Sequence, residues 1–352
     1  MDPNNKVDIP RIDVTVRDGF EKEDCLKLMS VVRPNWTQSD IQFKIFTSGI
    51  TNKLIGCYLG ENKSNMVLVR IYGLKTEVII DRESEIKTFQ ILFAADCGPE
   101  LYVIFNNGLC YDYITGVTLT MQSVRDEQIA KLIAKELVRM HCIQPPEGVV
   151  PEPTLFKTLR KWQKALPAKF DDPLKNEKYL KEYPSADILS KEIDLLEEVL
   201  TKQDNNNVVF THHDLLLENV LFDKVKDKVS FIDYEYASYS YQAFDIANHF
   251  NEYAGIDEVD YNLYPGKEYQ LKWLREYLTN WNKAKNIDGP ITEGQLERFY
   301  ATVNKFALAS HMFWGLWGII QAYNSVIDFD FLQYGIIRLD EYYKKKKEFL
   351  AL

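Results

Sequence analysis

The chain reads as an α+β protein in two parts, β-rich at the N-terminal end and mostly helical beyond it. Three observations point that way. Residues 42–72 carry short β-prone runs separated by the turn formers Ser48-Gly49 and Gly60-Glu61-Asn62. Residues 127–141, and most of the chain beyond 244, have helical spacing. Between them lies FTHHDLLLENVLFDKVKDKVSFIDYEY, residues 210–236, in which β-type runs lead to or follow an aspartate.

Residues 21–32 have helical spacing and stop before Arg33-Pro34, because proline disfavours helical backbone in the residue before it. Strands are expected at 42–46, 53–59 and 66–72, a helix at 81–94, and strands at 101–105 and 109–114 that pair around Asn106-Asn107-Gly108. Three strands, a helix and two strands define an N-terminal lobe over 1–114. From 115 the character changes: 127–141 is amphipathic, Pro145-Pro146 ends it, and polar helices alternate with proline-bearing linkers to about 207. After the 210–236 segment, helices are expected over 244–253, 269–283, 292–321 and 329–347. The most apolar stretch, FALASHMFWGLWGII at 306–320, is too short to span a bilayer, which takes about 20 apolar residues, and fits a buried helix.

At 352 residues, 46% hydrophobic and 27% charged, the chain can bury a sizeable core. Its net charge of −10 argues against holding nucleic acid and tolerates a cationic small substrate. The five cysteines, without a C-x-x-C pair, suggest neither a disulfide framework nor a zinc site. The opening MDPNNKVDIPRIDV lacks the pattern of a secretory signal. The expectation is therefore a cytoplasmic protein with reduced thiols and no stable membrane insertion. The lysine run 344–347 reads as a solvated helix end whose cations complement the helix dipole.

His212-His213-Asp214 followed by Asn219 fits H-x-D-x-x-x-x-N, the spacing of a phosphotransferase catalytic loop, and Asp233 follows the next β-type run. An Asp with an Asn five residues later is common in turns, since both bond their own backbone. Here Val208-Val209-Phe210, Val220-Leu221-Phe222 and Val229-Ser230-Phe231-Ile232 form strands that hold both acids at their ends. The order points to a bilobal protein-kinase-like fold. Asp214 is then the residue that orients the attacking hydroxyl, and Asn219 and Asp233 are the Mg²⁺ ligands. On the ATP side, Ser48, Gly49, Thr51 and Asn52 lie in a loop able to cap phosphates, although its single glycine makes it an ordinary hairpin turn when taken alone. Arg70 occupies the third strand where protein kinases carry lysine, Glu85 is placed to pair with it, and Tyr111 to Ile114 supply a hinge for adenine. A protein kinase is disfavoured, because Asp245-Ile246 comes only twelve positions after Asp233 and no A-P-E stretch follows. A non-catalytic scaffold would be expected to lack one of the three acid or amide positions, and all are present.

THHDLLLEN, FIDYEYASYSYQAFDIANHFNEYAG and FALASHMFWGLWGIIQ together resemble the choline/ethanolamine kinase family. The likeness extends from FTSGITNKL and VLVRIYG to IDFDFLQYGIIRLDEYY. It implies ATP and Mg²⁺ as cofactors and an amino alcohol as acceptor, ethanolamine in preference to choline. It also implies an amine pocket of Glu252, Trp314, Trp317 and Tyr334. Two tryptophans three apart share a helix face and would otherwise be read as core; indole faces attract a desolvated ammonium by about 2 kcal/mol or more. His213 departs from the asparagine usual in such loops. His249 and His311 read as core histidines, and Asp245 as a brace for the loop.

Overall fold

The computed structural model describes residues 9–46, 52–73, 81–203, 207–325 and 327–352. It divides into two compact units, Met1–Gly116 and Val117–Leu352.

Among the described residues the first unit is a six-stranded sheet covered by two α-helices. Its strands are β1 (Arg11–Ile12), β2 (Ile41–Phe46), β3 (Lys53–Leu59), β4 (Asn62–Ile71), β5 (Leu101–Phe105) and β6 (Gly108–Asp112), in the order β1-β5-β6-β4-β3-β2. All neighbours are antiparallel except β1 with β5. Side chains alternate across a strand, so Val67, Val69, Val103 and Phe105 pack with Cys25, Leu28 and Met29 of α1 (Glu21–Val32). Ile104, by the same alternation, and Leu101, across a register shift between Leu101 and Val103, meet Ile86 and Phe89 of α2 (Arg82–Ala94). Each such buried side chain contributes about 1.5–3 kcal/mol. α2 starts where Asp81 caps it, accepting from the amides of Glu83 and Ser84 at 3.1 and 3.2 Å.

In the second unit β7 (Val117–Thr118), β9 (Val220–Asp223) and β10 (Lys228–Phe231) form one antiparallel sheet. β8 (Val208–Thr211) and β11 (Ser238–Tyr241) form another. The helices are α3 (Glu127–His141), α4 (Leu155–Lys164), α5 (Pro173–Glu182), α6 (Ala186–Leu200), α7 (Gln242–Asn251), α8 (Lys267–Lys285), α9 (Glu293–Asn324) and α10 (Phe331–Leu350). The apolar stretch 306–320 is the buried middle of α9. Among the described residues no helix is long and apolar enough to cross a membrane. Lys344, Lys345 and Lys346 sit in the last turns of α10, paired with Glu341, Glu348 and Glu192. The five cysteines are free thiols.

Strands β1, β7 and β11 were not expected from the residues. The first two span only two residues each, too short for a periodic signal. The Ser-Tyr-Ser-Tyr of β11 has no apolar alternation, and becomes a strand because Ser238 and Tyr239 register against Thr211 and Phe210 of β8.

Two buried arrangements hold the second unit in shape. In the first, α9 and α10 touch backbone to backbone: a Cβ on Gly318 would stand 2.9 Å from the Cα and N of Gly335 and from the Phe331 carbonyl. In the second, the fully buried Asp245 of α7 accepts from the amides of His212 at 2.8 Å and His213 at 2.7 Å, with His141 Nε2 at 3.0 Å. Burial would raise the Asp245 carboxyl, but the His141 hydrogen bond and the neighbouring imidazoles more than offset it and hold it at about 2. Asp245 is thus the brace expected from the sequence.

Gly318→Ala should destabilise the protein by about 1–3 kcal/mol despite alanine's better helix propensity, because the new methyl meets backbone that cannot rotate away. Urea denaturation followed by tryptophan fluorescence reads the loss, and unchanged stability would mean that the two helices part freely. Asp245→Asn keeps the shape but turns an NH₂ toward an amide donor, and should cost about 2–4 kcal/mol near neutral pH. A carboxyl held below its ordinary 3.8 stabilises above that value and loses the effect as pH falls toward 2. The gap between wild type and Asp245→Asn should therefore narrow over that interval; a gap independent of pH would contradict an ionised brace.

Candidate active site

The 210–236 segment is folded by hydrogen bonds that leave its acids at the end of the two small sheets. After β8 the chain passes through His213, whose φ of 67° lies in the left-handed region. Non-glycine residues enter that region rarely, with Asn, Asp and His the most tolerant. The side chain repays the cost locally: His213 donates from Nδ1 to the Tyr236 carbonyl at 2.9 Å, and its ring lies against Phe244 and Phe313. Its role is therefore to lock the loop. His212 accepts at Nδ1 from the Asp214 amide at 3.3 Å, so its proton sits on Nε2 and is donated to the Ile232 carbonyl at 2.9 Å. Burial pulls its pKa to about 4, keeping it neutral.

Asp214 is buried, and the amide nitrogen of Asn219 donates to its carbonyl at 2.9 Å and its Oδ2 at 3.2 Å. The Asn219 amide oxygen is thereby turned away as an acceptor. Asn219 ends a short 3₁₀ turn (Leu217–Asn219), and its backbone carbonyl accepts from the Ile232 amide at 3.0 Å, tying the two halves of the segment together. Asp233, two residues beyond β10, has a φ of 62°. Burial holds the Asp214 carboxyl well above the usual range, and Asp233, Glu252 and Glu235 push it further by repulsion. Asp214, Asn219 and Asp233 are thus brought together.

An all-oxygen donor set under mutual repulsion suits a hard divalent cation. Among the described residues no three His, Cys, Asp or Glu side chains could hold a metal by themselves. A cation at Asp233 and the Asn219 amide oxygen would complete its shell with phosphate oxygens or water, the ordinary habit of Mg²⁺.

The aromatic residues assigned to the amine also gather in this unit. Trp314 and Trp317 meet edge to face at 5.3 Å, and Tyr334 lies 6.0 Å from Trp317. The indole of Trp314 donates to Asn248 Oδ1 at 2.7 Å, and that of Trp317 to Tyr236 Oη at 2.8 Å. The ring of Tyr236 lies 5.4 Å from Trp314, which makes it a fourth aromatic of the group. Sequence reasoning passed over Tyr236, although its position three residues past Asp233 was a usable signal. Glu252, in a 3₁₀ turn after α7, is buried and ion-paired with Arg338 at 2.8 Å. That partner, 86 positions away, left no local signal. His249 donates from Nδ1 to the Leu215 carbonyl at 3.1 Å, as expected of a core histidine; His311 is buried against the ring of Tyr261.

In the N-terminal unit, strand parity turns Arg70 of β4 toward α2, where it is buried and ion-paired with Glu85. Glu85 has a second cation, Arg82, at 3.0 Å, which the sequence reading did not include. Tyr111 is placed inside β6, registered against Leu68 and Leu101, with its ring 5.1 Å from Phe89 and near the Arg70 guanidinium. Tyr111 thus stands one residue before the end of β6, and Ile114 lies beyond the strand. Asn52 Oδ1 accepts from the Gly73 amide at 3.4 Å. Ser48, Gly49 and Thr51 lie outside the described residues.

Comparison with known proteins agrees with this architecture. Ethanolamine kinase 1 of Mus musculus is 44% identical over 353 residues, covering 99% of this chain and 97% of its own length. The solved structure of a Plasmodium vivax ethanolamine kinase superposes with a TM-score of 0.80 at 30% identity, covering 93% of this chain and 89% of that one. A choline kinase from Cryptosporidium parvum follows with a TM-score of 0.76 at 25% identity, covering 94% and 96%. The fold is therefore the bilobal, protein-kinase-like one read from the sequence, β-rich first and helical after. The family model for choline/ethanolamine kinase matches residues 43–343, and the chain belongs to the choline/ethanolamine kinase family.

Proposed function

We propose that the protein is an ethanolamine kinase, transferring the γ-phosphoryl group of ATP to the hydroxyl of ethanolamine to give phosphoethanolamine and ADP. This is the opening step of the CDP-ethanolamine route to phosphatidylethanolamine, carried out in the cytoplasm. The observation that carries the reading is 44% identity along nearly the whole chain to an ethanolamine kinase.

The residues divide the work by their chemistry. Asp214 accepts the proton of the substrate hydroxyl as its oxygen bonds to phosphorus; the bond to the bridging oxygen breaks in line, and ADP leaves with that electron pair. A raised pKa suits a group that must take up a proton. Asn219 holds the Asp214 carboxylate in place and, with Asp233, presents the oxygens that fit Mg²⁺. When bound, Mg²⁺ neutralises charge on the phosphates. Arg70, ion-paired with Glu85, donates to the nucleotide phosphates, together with the loop of Ser48, Gly49, Thr51 and Asn52. Tyr111 to Ile114 form the segment whose backbone meets adenine. The ammonium is received by the faces of Trp314, Trp317, Tyr236 and Tyr334, with Glu252 as an acceptor for its N–H groups. A primary ammonium has up to three such donors, and a quaternary one has none.

Initial rates of ADP release should give the highest kcat/KM with ethanolamine, a lower one with choline, and little release without an acceptor or with EDTA. Preference for choline would change the acceptor and keep the reaction; silence with both amines would overturn the reading. Asp214→Ala should lower kcat by about 10²–10⁴-fold while ATP still binds, as measured by fluorescence titration. Retention of most activity would remove Asp214 from the chemistry.

A further inference from the structure

Arg338 of α10 is 2% exposed, and its partners among the described residues lie in or beside the aromatic group. Nη1 donates to Glu252 Oε1 at 2.8 Å, and Nη2 donates to Ser310 Oγ at 2.9 Å. Its guanidinium carbon stands 5.8 Å from the centre of the Tyr334 ring. The direction of the next bond is settled by proton count. Ser310 has one hydroxyl proton; Arg338 can only donate, so that proton goes to Asn248 Oδ1, 2.8 Å away. The same Oδ1 accepts from the Trp314 indole at 2.7 Å, which fixes the orientation of the Asn248 amide as well. A one-way chain thus runs from Arg338 through Ser310 to Asn248, where the indole proton of Trp314 meets it.

We infer that Arg338 is a positioning residue for the amine, fixing Glu252 on one side and, through Ser310 and Asn248, the Trp314 ring on the other. The inference rests on the amine pocket proposed above and adds the element that sets its geometry. Two opposed effects follow from a buried cation there. Its charge repels the incoming ammonium, while its fork holds the carboxylate and the ring that receive it. Glu252 Oε1 is already committed to Arg338, so recognition depends on where Oε2 and the indole face point. A fork that reaches both Glu252 and Ser310 sets those directions, and lysine, with a single ammonium, cannot reproduce them. Positioning therefore outweighs repulsion, and loss of Arg338 weakens amine binding.

Steady-state kinetics of wild type, Arg338→Lys, Arg338→Met and the double variant Glu252→Gln/Arg338→Met test this. Arg338→Met should raise the ethanolamine KM about tenfold or more and leave the ATP KM within about twofold. Arg338→Lys should fall between it and wild type. The double variant leaves no buried charge without its counter-ion, so it should fold even if Arg338→Met does not, and still show the raised ethanolamine KM. The inference is overturned if the ethanolamine KM falls in Arg338→Met, if both KM values rise equally, or if the double variant regains the wild-type ethanolamine KM. The wild-type arm tests the acceptor separately. No turnover with ethanolamine there overturns the acceptor and this inference together, whereas wild-type turnover with unmoved KM values in the variants overturns the inference alone.

Discussion

The Asp245 carboxylate takes the amides of His212 and His213, two consecutive donors that no strand or helix could satisfy at that corner. Buried amides without acceptors cost about 1–3 kcal/mol each. With them satisfied, the backbone can turn through the left-handed conformation of His213, itself a cost of about 1–2 kcal/mol, and deliver Asp214 to the end of β8. The rest of the site hangs from that turn. Asn219 bonds back to Asp214, Ile232 bonds to Asn219, and Tyr236 accepts from His213, so each half of the segment locates the other. His141 on α3 and Tyr277 on α8 extend the brace into the helical body, since His141 bonds both Asp245 and the Tyr277 hydroxyl.

Electrostatics separates the two acidic groups of the second unit by role. Asp214 sits among Asp233, Glu235 and Glu252, and burial with repulsion makes its ionised form costly. Glu252 has its counter-ion built in, since Arg338 keeps its charge in spite of burial through the influence of Tyr334, Tyr261 and Glu252. The first arrangement favours the approach of a cation and of a proton. The second favours fixed geometry around a carboxylate oxygen. A phosphotransferase acting on an amino alcohol needs both, because the reacting hydroxyl and the ammonium are only two carbons apart.

In the N-terminal unit the same economy comes from strand parity. Alternation along β4 sends Val67 and Val69 toward α1 and Arg70 toward α2, so covering both faces of the sheet also brings a guanidinium to the Glu85 carboxylate. Arg82, one turn ahead of Glu85 on α2, is a second cation on the same acid.

Much of this was written locally. The helices at 21–32 and 127–141 were legible because apolar spacing and a following proline or cap mark their limits, and the motif around Asp214 and Asn219 was legible because a five-residue spacing survives in linear form. The family likeness rests on such contiguous stretches. Pairings between distant segments left no such mark. Ser-Tyr-Ser-Tyr became β11 only through β8, and Glu252 met an arginine 86 residues away on α10. The amino-acid sequence alone determined the chemistry available and the order of the elements, since periodicity, caps and short motifs act over a few residues. Which carboxylate stands in a repulsive cluster, and which is held by a buried guanidinium, was decided by tertiary structure. Burial and charge act through space, and only the folded chain sets those distances.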